Sequence, residues 1–206
     1  MKLQLLFASP LMDELDLLMN NKISIERIDQ IRDIFLFCCF TGLAFSDIKK
    51  LDSSQISKGI DGGKWIYTNR QKTDTRATIP LLPMALEILG KYINQPQCLN
   101  SVFLLPVLVN QKMNNNLKEI ADFCEVEKKL TYHAGSHTFA TTITLISGDS
   151  IESVSKMLGH KSLTITQHYA KILVRKVSDD MMLLREKLLP KPKSKLNKIY
   201  FFYCMV

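Results

Sequence analysis

The sequence lacks an apolar run long enough to cross a membrane. No window of roughly 18 consecutive apolar residues occurs in it, and the apolar stretch at residues 34–40 is too short to span a bilayer. The first residues have one Lys and a short apolar run, but Ser9 and Pro10 interrupt that run and Asp13 follows, which argues against an export signal. We therefore expect a protein that is neither exported nor embedded in a membrane.

The sequence also lacks the cysteine spacings of metal sites and disulfide frameworks. Its five cysteines form no C-x-x-C pair, and an odd number does not close into disulfides. Free thiols buried in helices are the expected arrangement, and they favour a reducing cytoplasm as the location.

An even spread of positive charge is missing as well. The net charge is +7. Residues 160–206 carry ten Lys or Arg against three Asp or Glu, which leaves 17 basic and 17 acidic side chains in residues 1–159. The total charge therefore does not by itself indicate nucleic-acid binding, because a basic end of a chain is more often a solvated segment.

Hydrophobic periodicity predicts a mainly α protein with a small antiparallel β-sheet. Two β-rich segments, 64–69 and 76–81, flank the polar link 70–75. Ser24 is the expected cap of a long helix that Gly42 ends. The other predicted helices are 10–20, 46–51, 85–93, 113–124, 131–147, 150–158 and 164–170.

Five residues that can carry chemistry follow one another in a fixed order. Lys72 lies in the link RQKT, and His133 and His137 lie one helical turn apart in YHAGSHTFATT. His160 ends KMLGH, and Tyr169 follows nine residues later in QHYA. Each is weak alone, because a helical histidine or a half-buried tyrosine is usually structural. Their order is the informative feature.

The ordered segments FTGLAFSDIKKL, RQKT, YHAGSHTFATT, ESVSKMLGH and QHYA resemble the catalytic domain of tyrosine recombinases, also called phage integrases. The likeness is greatest to the integrases of conjugative transposons, and it covers about residues 10–188. It implies the tyrosine recombinase catalytic-domain fold over residues 1–188, without the family's N-terminal core-binding domain, followed by a basic and aromatic tail at 189–206.

The resemblance also implies a role for each residue. Tyr169 attacks the DNA phosphorus and holds the 3′ end as a phosphotyrosine. Lys72 donates a proton to the leaving 5′ oxygen, His133 takes the tyrosine proton or orients the phosphate, and His160 donates to a non-bridging oxygen. The covalent link conserves the energy of the broken bond, so neither cofactor nor metal is implied.

The chain departs from the family at its two arginines. Ala44 occupies the slot of the first and Ser136 that of the second, and neither side chain can replace a guanidinium that clamps phosphate. Arg70, two residues before Lys72, is a candidate substitute for the first, with a surface or phosphate-backbone role as the alternative. His137 lies about 100° round the helix from Ser136 and cannot take its position. We therefore expect impaired activity.

The partners implied are double-stranded DNA, a homotetramer in the synaptic complex, a free monomer and a possible DNA-bending accessory protein. Two other interpretations stay open. One is a zinc site at His133 and His137, although Ala134 stands where a zinc protease would carry its acid. The other is a non-catalytic remnant of an integrase that binds DNA or a partner protein.

Overall fold

The computed structural model describes residues 10–170, together with residues 181–182 and 184–185. The chain divides into two compact units, residues 1–172 and 173–206, and the account below concerns the first. The predicted tail at 189–206 and the predicted domain end at 188 lie outside the described residues. Within those residues, no helix is long and apolar enough to cross a bilayer.

The first unit is mainly helical and contains one three-stranded antiparallel sheet of order β1-β2-β3. The strands are β1 Ile56–Lys58, β2 Lys64–Asn69 and β3 Arg76–Pro80. A 3₁₀ turn, Ser53–Gln55, and a π-helical segment, Phe139–Leu145, are also present. The α-helices are α1 Met12–Asn20, α2 Glu26–Thr41, α3 Phe45–Ile48, α4 Pro83–Tyr92, α5 Pro96–Leu99, α6 Asn110–Phe123, α7 Tyr132–Thr138, α8 Ile151–Met157 and α9 Leu163–Ala170.

The mainly α fold with a small antiparallel sheet confirms the prediction. The predicted strands correspond to β2 and β3, which pair with Ile66 opposite Ile79. Strand β1 was not predicted, because its three residues are largely exposed and show no alternation of apolar and polar side chains. The short helix α5 was missed for a similar reason, since four residues cannot display a helical period.

One predicted helix cap is wrong. Helix α2 begins at Glu26 with Ile25 in the capping position, so Ser24 does not cap it and no side chain does. Glu26 and Asp29 instead place negative charge in the first turn, where it favours the positive end of the helix dipole. A serine cap does occur at α8, where the Ser150 hydroxyl accepts a hydrogen bond from the backbone N–H of Ser153.

The single helix predicted for residues 131–147 is in fact two segments. Helix α7 ends at Thr138 and the chain continues as the π-helical segment, in which the N–H of Ile146 bonds to the carbonyl of Thr141. Threonine hydroxyls donate to carbonyls of the preceding turn, from Thr141 to His137 at 2.8 Å and from Thr144 to Ala140 at 3.0 Å. Such bonds compete with the backbone ladder and bend helices.

Helix α2 is the centre of the core. It packs against α1, α4, α6, α7 and the π-helical segment, and every residue from Ile31 to Thr41 is buried. Two of these buried residues are charged. Asp33 accepts hydrogen bonds from Arg32 at 3.1 Å and from the Tyr92 hydroxyl at 2.9 Å, and Lys91 also contacts it. Burial first, and then the Asp33 charge, raise the pKa of Tyr92. Asp33 thereby joins α2 to α4.

Replacing Asp33 by alanine should lower the free energy of unfolding by about 1–3 kcal/mol, because it leaves the buried Tyr92 hydroxyl without its acceptor and removes one of the two carboxylates that pair with the buried Arg32. Urea denaturation measures the loss. Lys91→Met is the matched control, since Lys91 is 42% exposed and its removal should cost about 1 kcal/mol or less. Equal losses in the two variants would contradict a buried, Asp33-centred cluster.

Candidate active site

Arg70, directly after β2, makes hydrogen bonds to several segments of the site region through its guanidinium. Its Nη1 donates to the Asp47 carboxylate at 3.1 Å, and its Nε donates to the Leu158 carbonyl at 2.9 Å. Its Nη2 donates to the carbonyls of Gly42 at 2.9 Å and Met157 at 3.4 Å. A single guanidinium therefore ties together the loop after α2, the short helix α3, the hairpin and the end of α8.

Two glycines permit this close approach. Gly159 has φ +60°, and a Cβ at that position would lie 2.8 Å from the Arg70 Cγ. Gly42 has φ +66°, and a Cβ there would lie 2.4 Å from the ring of Phe139. Both positions therefore require glycine for its left-handed conformation and for the absence of a side chain.

Arg70 is buried, with 7% of its surface exposed, so the surface alternative for this residue is wrong. Its charge nevertheless acts on the neighbouring residues. Burial raises the pKa of Tyr169, and the positive charge of Arg70 offsets part of that rise. Burial and then Arg70 lower the pKa of His160. That Arg70 substitutes for the first family arginine stays a prediction.

Tyr169 in α9 lies between two histidine rings. Its ring centroid is 5.0 Å from that of His137, which meets it edge-on, and 6.1 Å from that of His160, which is parallel to it. His160 follows α8, and its Nδ1 shares a hydrogen bond of 2.8 Å with the Thr166 hydroxyl one turn into α9. This bond and the ring contact fix the position of His160 relative to Tyr169.

His133 joins this group through His137. The two Nε2 atoms are 3.2 Å apart, as expected for histidines one turn apart in α7. The structure thus brings together three residues predicted from sequence, namely Tyr169, His160 and His133. It adds His137. The sequence shows that His137 lies one turn from His133, but its contact with Tyr169 depends on how α9 packs.

His137 has an unusual environment. Its Nδ1 is buried and has no hydrogen-bond partner among the described residues. Burial, followed by the neighbouring His133 and His160, lowers the pKa of His137 to about 4. The His137 ring is therefore neutral at pH 7.

The two slots of the missing arginines line one cleft of about 540 Å³, together with His133. Ala44 is exposed there, and the Ser136 hydroxyl donates to the Leu43 carbonyl at 3.1 Å. Neither side chain contributes charge, so the cleft holds space where the family pattern has guanidinium groups.

Lys72 makes no hydrogen bond with the histidines or with Tyr169. It is exposed in the hairpin turn and forms no hydrogen bond or ion pair with any residue that the structure describes. The turn itself is well bonded: the N–H of Arg70 donates to Thr75 at 2.8 Å, and that of Gln71 to the Asp47 carboxylate at 3.0 Å. Lys72 is thus held at the tip of an anchored turn.

For the zinc interpretation, the structure offers two nitrogens and no more within the described range. No group of three or more His, Cys, Asp or Glu side chains suited to a metal ion occurs among residues 10–170 and the four described beyond them. The Nε2 atoms of His133 and His137 are instead paired with each other.

Replacing Arg70 by methionine should lower the free energy of unfolding by about 3–5 kcal/mol, because Asp47 would remain buried without its cation. Urea denaturation measures this loss. The double variant Arg70→Met with Asp47→Asn should regain part of it, since no uncompensated charge is left. A loss that is as large in the double variant would show that packing, and not the ion pair, dominates.

Acidification should destabilise the fold through His137. Its folded-state pKa of about 4 lies below the ordinary 6.5, so between these values the unfolded chain binds a proton that the folded chain does not. The free energy of unfolding should therefore fall as pH drops from 6.5 towards 4. His137→Phe should reduce this slope in denaturation curves, whereas His168→Phe, at an exposed position of α9, should not change it.

Known proteins resemble this chain over much of its length. Residues 12–175 match the model of the phage integrase family. Tyrosine recombinase XerD of Lacticaseibacillus casei is 27% identical over 148 residues, which are 67% of this chain and 49% of the relative. XerD of Listeria monocytogenes (serotype 4b) is 31% identical over 119 residues, which are 52% of this chain and 40% of the relative.

Solved structures share the fold. XerA recombinase has a TM-score of 0.67 at 19% identity, with 89% of this chain and 64% of the other covered. The Tn1549 transposon integrase, in complex with a circular intermediate DNA, has a TM-score of 0.57 at 17% identity, with 83% and 62% covered. This chain spans about half the length of the XerD relatives or less. The match over residues 12–175 shows that the chain belongs to the phage integrase family of tyrosine recombinases.

Proposed function

We propose that this chain is the catalytic part of a site-specific DNA recombinase that cuts and rejoins strands through a 3′-phosphotyrosine at Tyr169. The observation that carries the proposal is the placement of Tyr169 between His137 and His160, with His133 in contact through His137. Membership of the phage integrase family supports the reaction class.

In the proposed cleavage step, the Tyr169 phenol oxygen forms a bond to phosphorus as the bond from phosphorus to the 5′ oxygen breaks. The phenol proton leaves towards His133, and Lys72 protonates the departing 5′ oxygen. His160 donates a hydrogen bond to a non-bridging oxygen. Because Lys72 stands at the tip of the hairpin turn, its delivery to the scissile phosphate depends on bound DNA.

Positive charge at the phosphate is what the site lacks. Arg70 has committed its Nε and Nη2 groups to backbone carbonyls and its Nη1 to Asp47, so it acts on the site mainly through its field. Losing one preorganised donor to a developing charge costs about 10²–10³ in rate. With Ala44 and Ser136 at both arginine slots, we propose that the chain as it stands turns over slowly.

The proposed partner is double-stranded DNA. Relatives of the same fold include a XerH recombinase in a post-cleavage complex with palindromic difH substrate and a lambda integrase dimer bound to a COC′ core site. By analogy we propose a monomer in free solution, a homotetramer in the synaptic complex, and a DNA-bending accessory protein. The proposed place of action is the cytoplasm, in line with four buried free cysteines among the described residues.

Covalent trapping tests the proposal. The protein is incubated with nicked duplexes that tile the DNA on either side of its own gene, so that the cleaved end diffuses away and the adduct accumulates. Ser136→Arg should raise the yield of labelled protein–DNA adduct at least tenfold, because the cleft beside His133 admits a guanidinium that clamps the phosphate. Denaturing gels measure the yield.

Tyr169→Phe, combined with Ser136→Arg, is the matched control and should form no adduct. Ser136→Lys adds the charge without the forked geometry and should restore less activity than arginine. If Ser136→Arg forms no adduct even when fused to a core-binding domain, the enzymatic proposal fails. Binding of DNA without cleavage would then favour the non-catalytic remnant.

A further inference from the structure

His137 stands between the nucleophile and the outermost histidine of the site. Its ring contacts that of Tyr169, with centroids 5.0 Å apart, and that of His133, with centroids 4.6 Å apart. Within the described residues, the ring contacts of Tyr169 are with His137 and His160, and none is with His133. A proton that leaves Tyr169 for His133 therefore meets His137 first.

Two polar atoms near the contact between His137 and Tyr169 have no hydrogen-bond partner among the described residues. The buried Nδ1 of His137 has no partner among the described residues, and the Tyr169 hydroxyl forms no hydrogen bond within the same part of the chain. A buried polar atom left unpaired costs about 1–3 kcal/mol. Among the described residues, the His137 Nδ1 and the Tyr169 hydroxyl thus both lack a partner, and they belong to rings that contact each other.

The contact between the two Nε2 atoms restricts the tautomer of His137. At 3.2 Å, one of them must donate to the other. If His137 donates, its Nδ1 is a bare acceptor. If His133 donates, the His137 Nδ1 carries a hydrogen that is buried with no acceptor among the described residues. A relay towards His133 requires the first arrangement, with the proton on the Nε2 of His137.

We propose that His137 relays the proton of Tyr169 to His133. As the phenol oxygen bonds to phosphorus, its proton passes to the Nδ1 of His137 while the Nε2 proton of His137 passes to the Nε2 of His133. His137 ends as the opposite neutral tautomer, and His133, which is exposed, carries the positive charge at the solvent. The charged and titratable groups around the relay are His160, whose Nδ1 is committed to Thr166, and Arg70.

The relay rests on the proposed function, because the proton leaves Tyr169 only during DNA cleavage. The tautomer of His137 that the relay requires can be measured without any cleavage. In protein labelled with ¹⁵N-histidine at pH 7, long-range proton–nitrogen correlations should show His137 with its hydrogen on Nε2 and a bare Nδ1. His168, exposed on α9 and without a hydrogen bond to another described residue, gives the reference signals in the same spectrum. A dominant Nδ1–H form of His137 would overturn the relay whether or not the chain cleaves DNA.

A kinetic comparison separates relay from positioning in the Ser136→Arg background. His137→Phe keeps an aromatic ring against Tyr169 and should slow adduct formation about 10²-fold. His137→Asn places an amide oxygen near the former Nδ1, so it can orient the hydroxyl but cannot pass a proton on. It should remain as slow as His137→Phe. Full activity of His137→Asn would sink the relay and leave His137 as a positioning residue.

The two failures can be told apart. If the parent Ser136→Arg protein forms no adduct with any duplex, the proposed recombinase function has failed, and the tautomer measurement still decides the chemical state of His137. If the parent forms adduct and both His137 variants keep its rate, the function stands and the relay does not. Thermal unfolding of each variant confirms that the comparison is made between folded proteins.

Discussion

The buried ion pair between Arg70 and Asp47 is the contact on which the geometry of the site depends. Three backbone carbonyls complete the shell of the Arg70 guanidinium, and they belong to the ends of α2 and α8. Because Asp47 also accepts the N–H of Gln71, the same carboxylate anchors the first residue of the hairpin turn. Removing either partner destabilises the fold, because the other is left as an uncompensated buried charge.

Three residues of the candidate site follow this contact closely in the sequence. Lys72 comes two residues after Arg70, Ala44 two residues after Gly42, and His160 two residues after Leu158. The Arg70 guanidinium therefore holds these segments in place, with its Nε, Nη1 and Nη2 groups all hydrogen-bonded within the protein. Whether it also serves in place of the first family arginine stays a prediction.

The three histidines of the site differ in their surroundings. His160 is oriented through Thr166, His133 is exposed, and His137 is half-buried between Tyr169 and His133, where burial lowers its pKa to about 4. Burial disfavours the charged form of an imidazole, but a neutral imidazole can accept a proton at one nitrogen while it donates one from the other. Ala44 and Ser136, at the predicted positions of the two arginines, add no charge to the cleft beside His133.

The sequence by itself determined the family, the mainly α fold and strands β2 and β3, because local periodicity and the order of short motifs encode them. The same motifs predicted Tyr169, His133 and His160 as site residues, and the structure brings these three near one another. The prediction from sequence failed at Ser24, whose capping propensity was outweighed at the start of α2, and at residues 139–145, where threonine hydroxyls compete with the backbone ladder. Only the tertiary structure decided that Arg70 is buried and that His137 touches Tyr169. Both facts depend on contacts between segments far apart in the chain, which no local pattern of residues encodes.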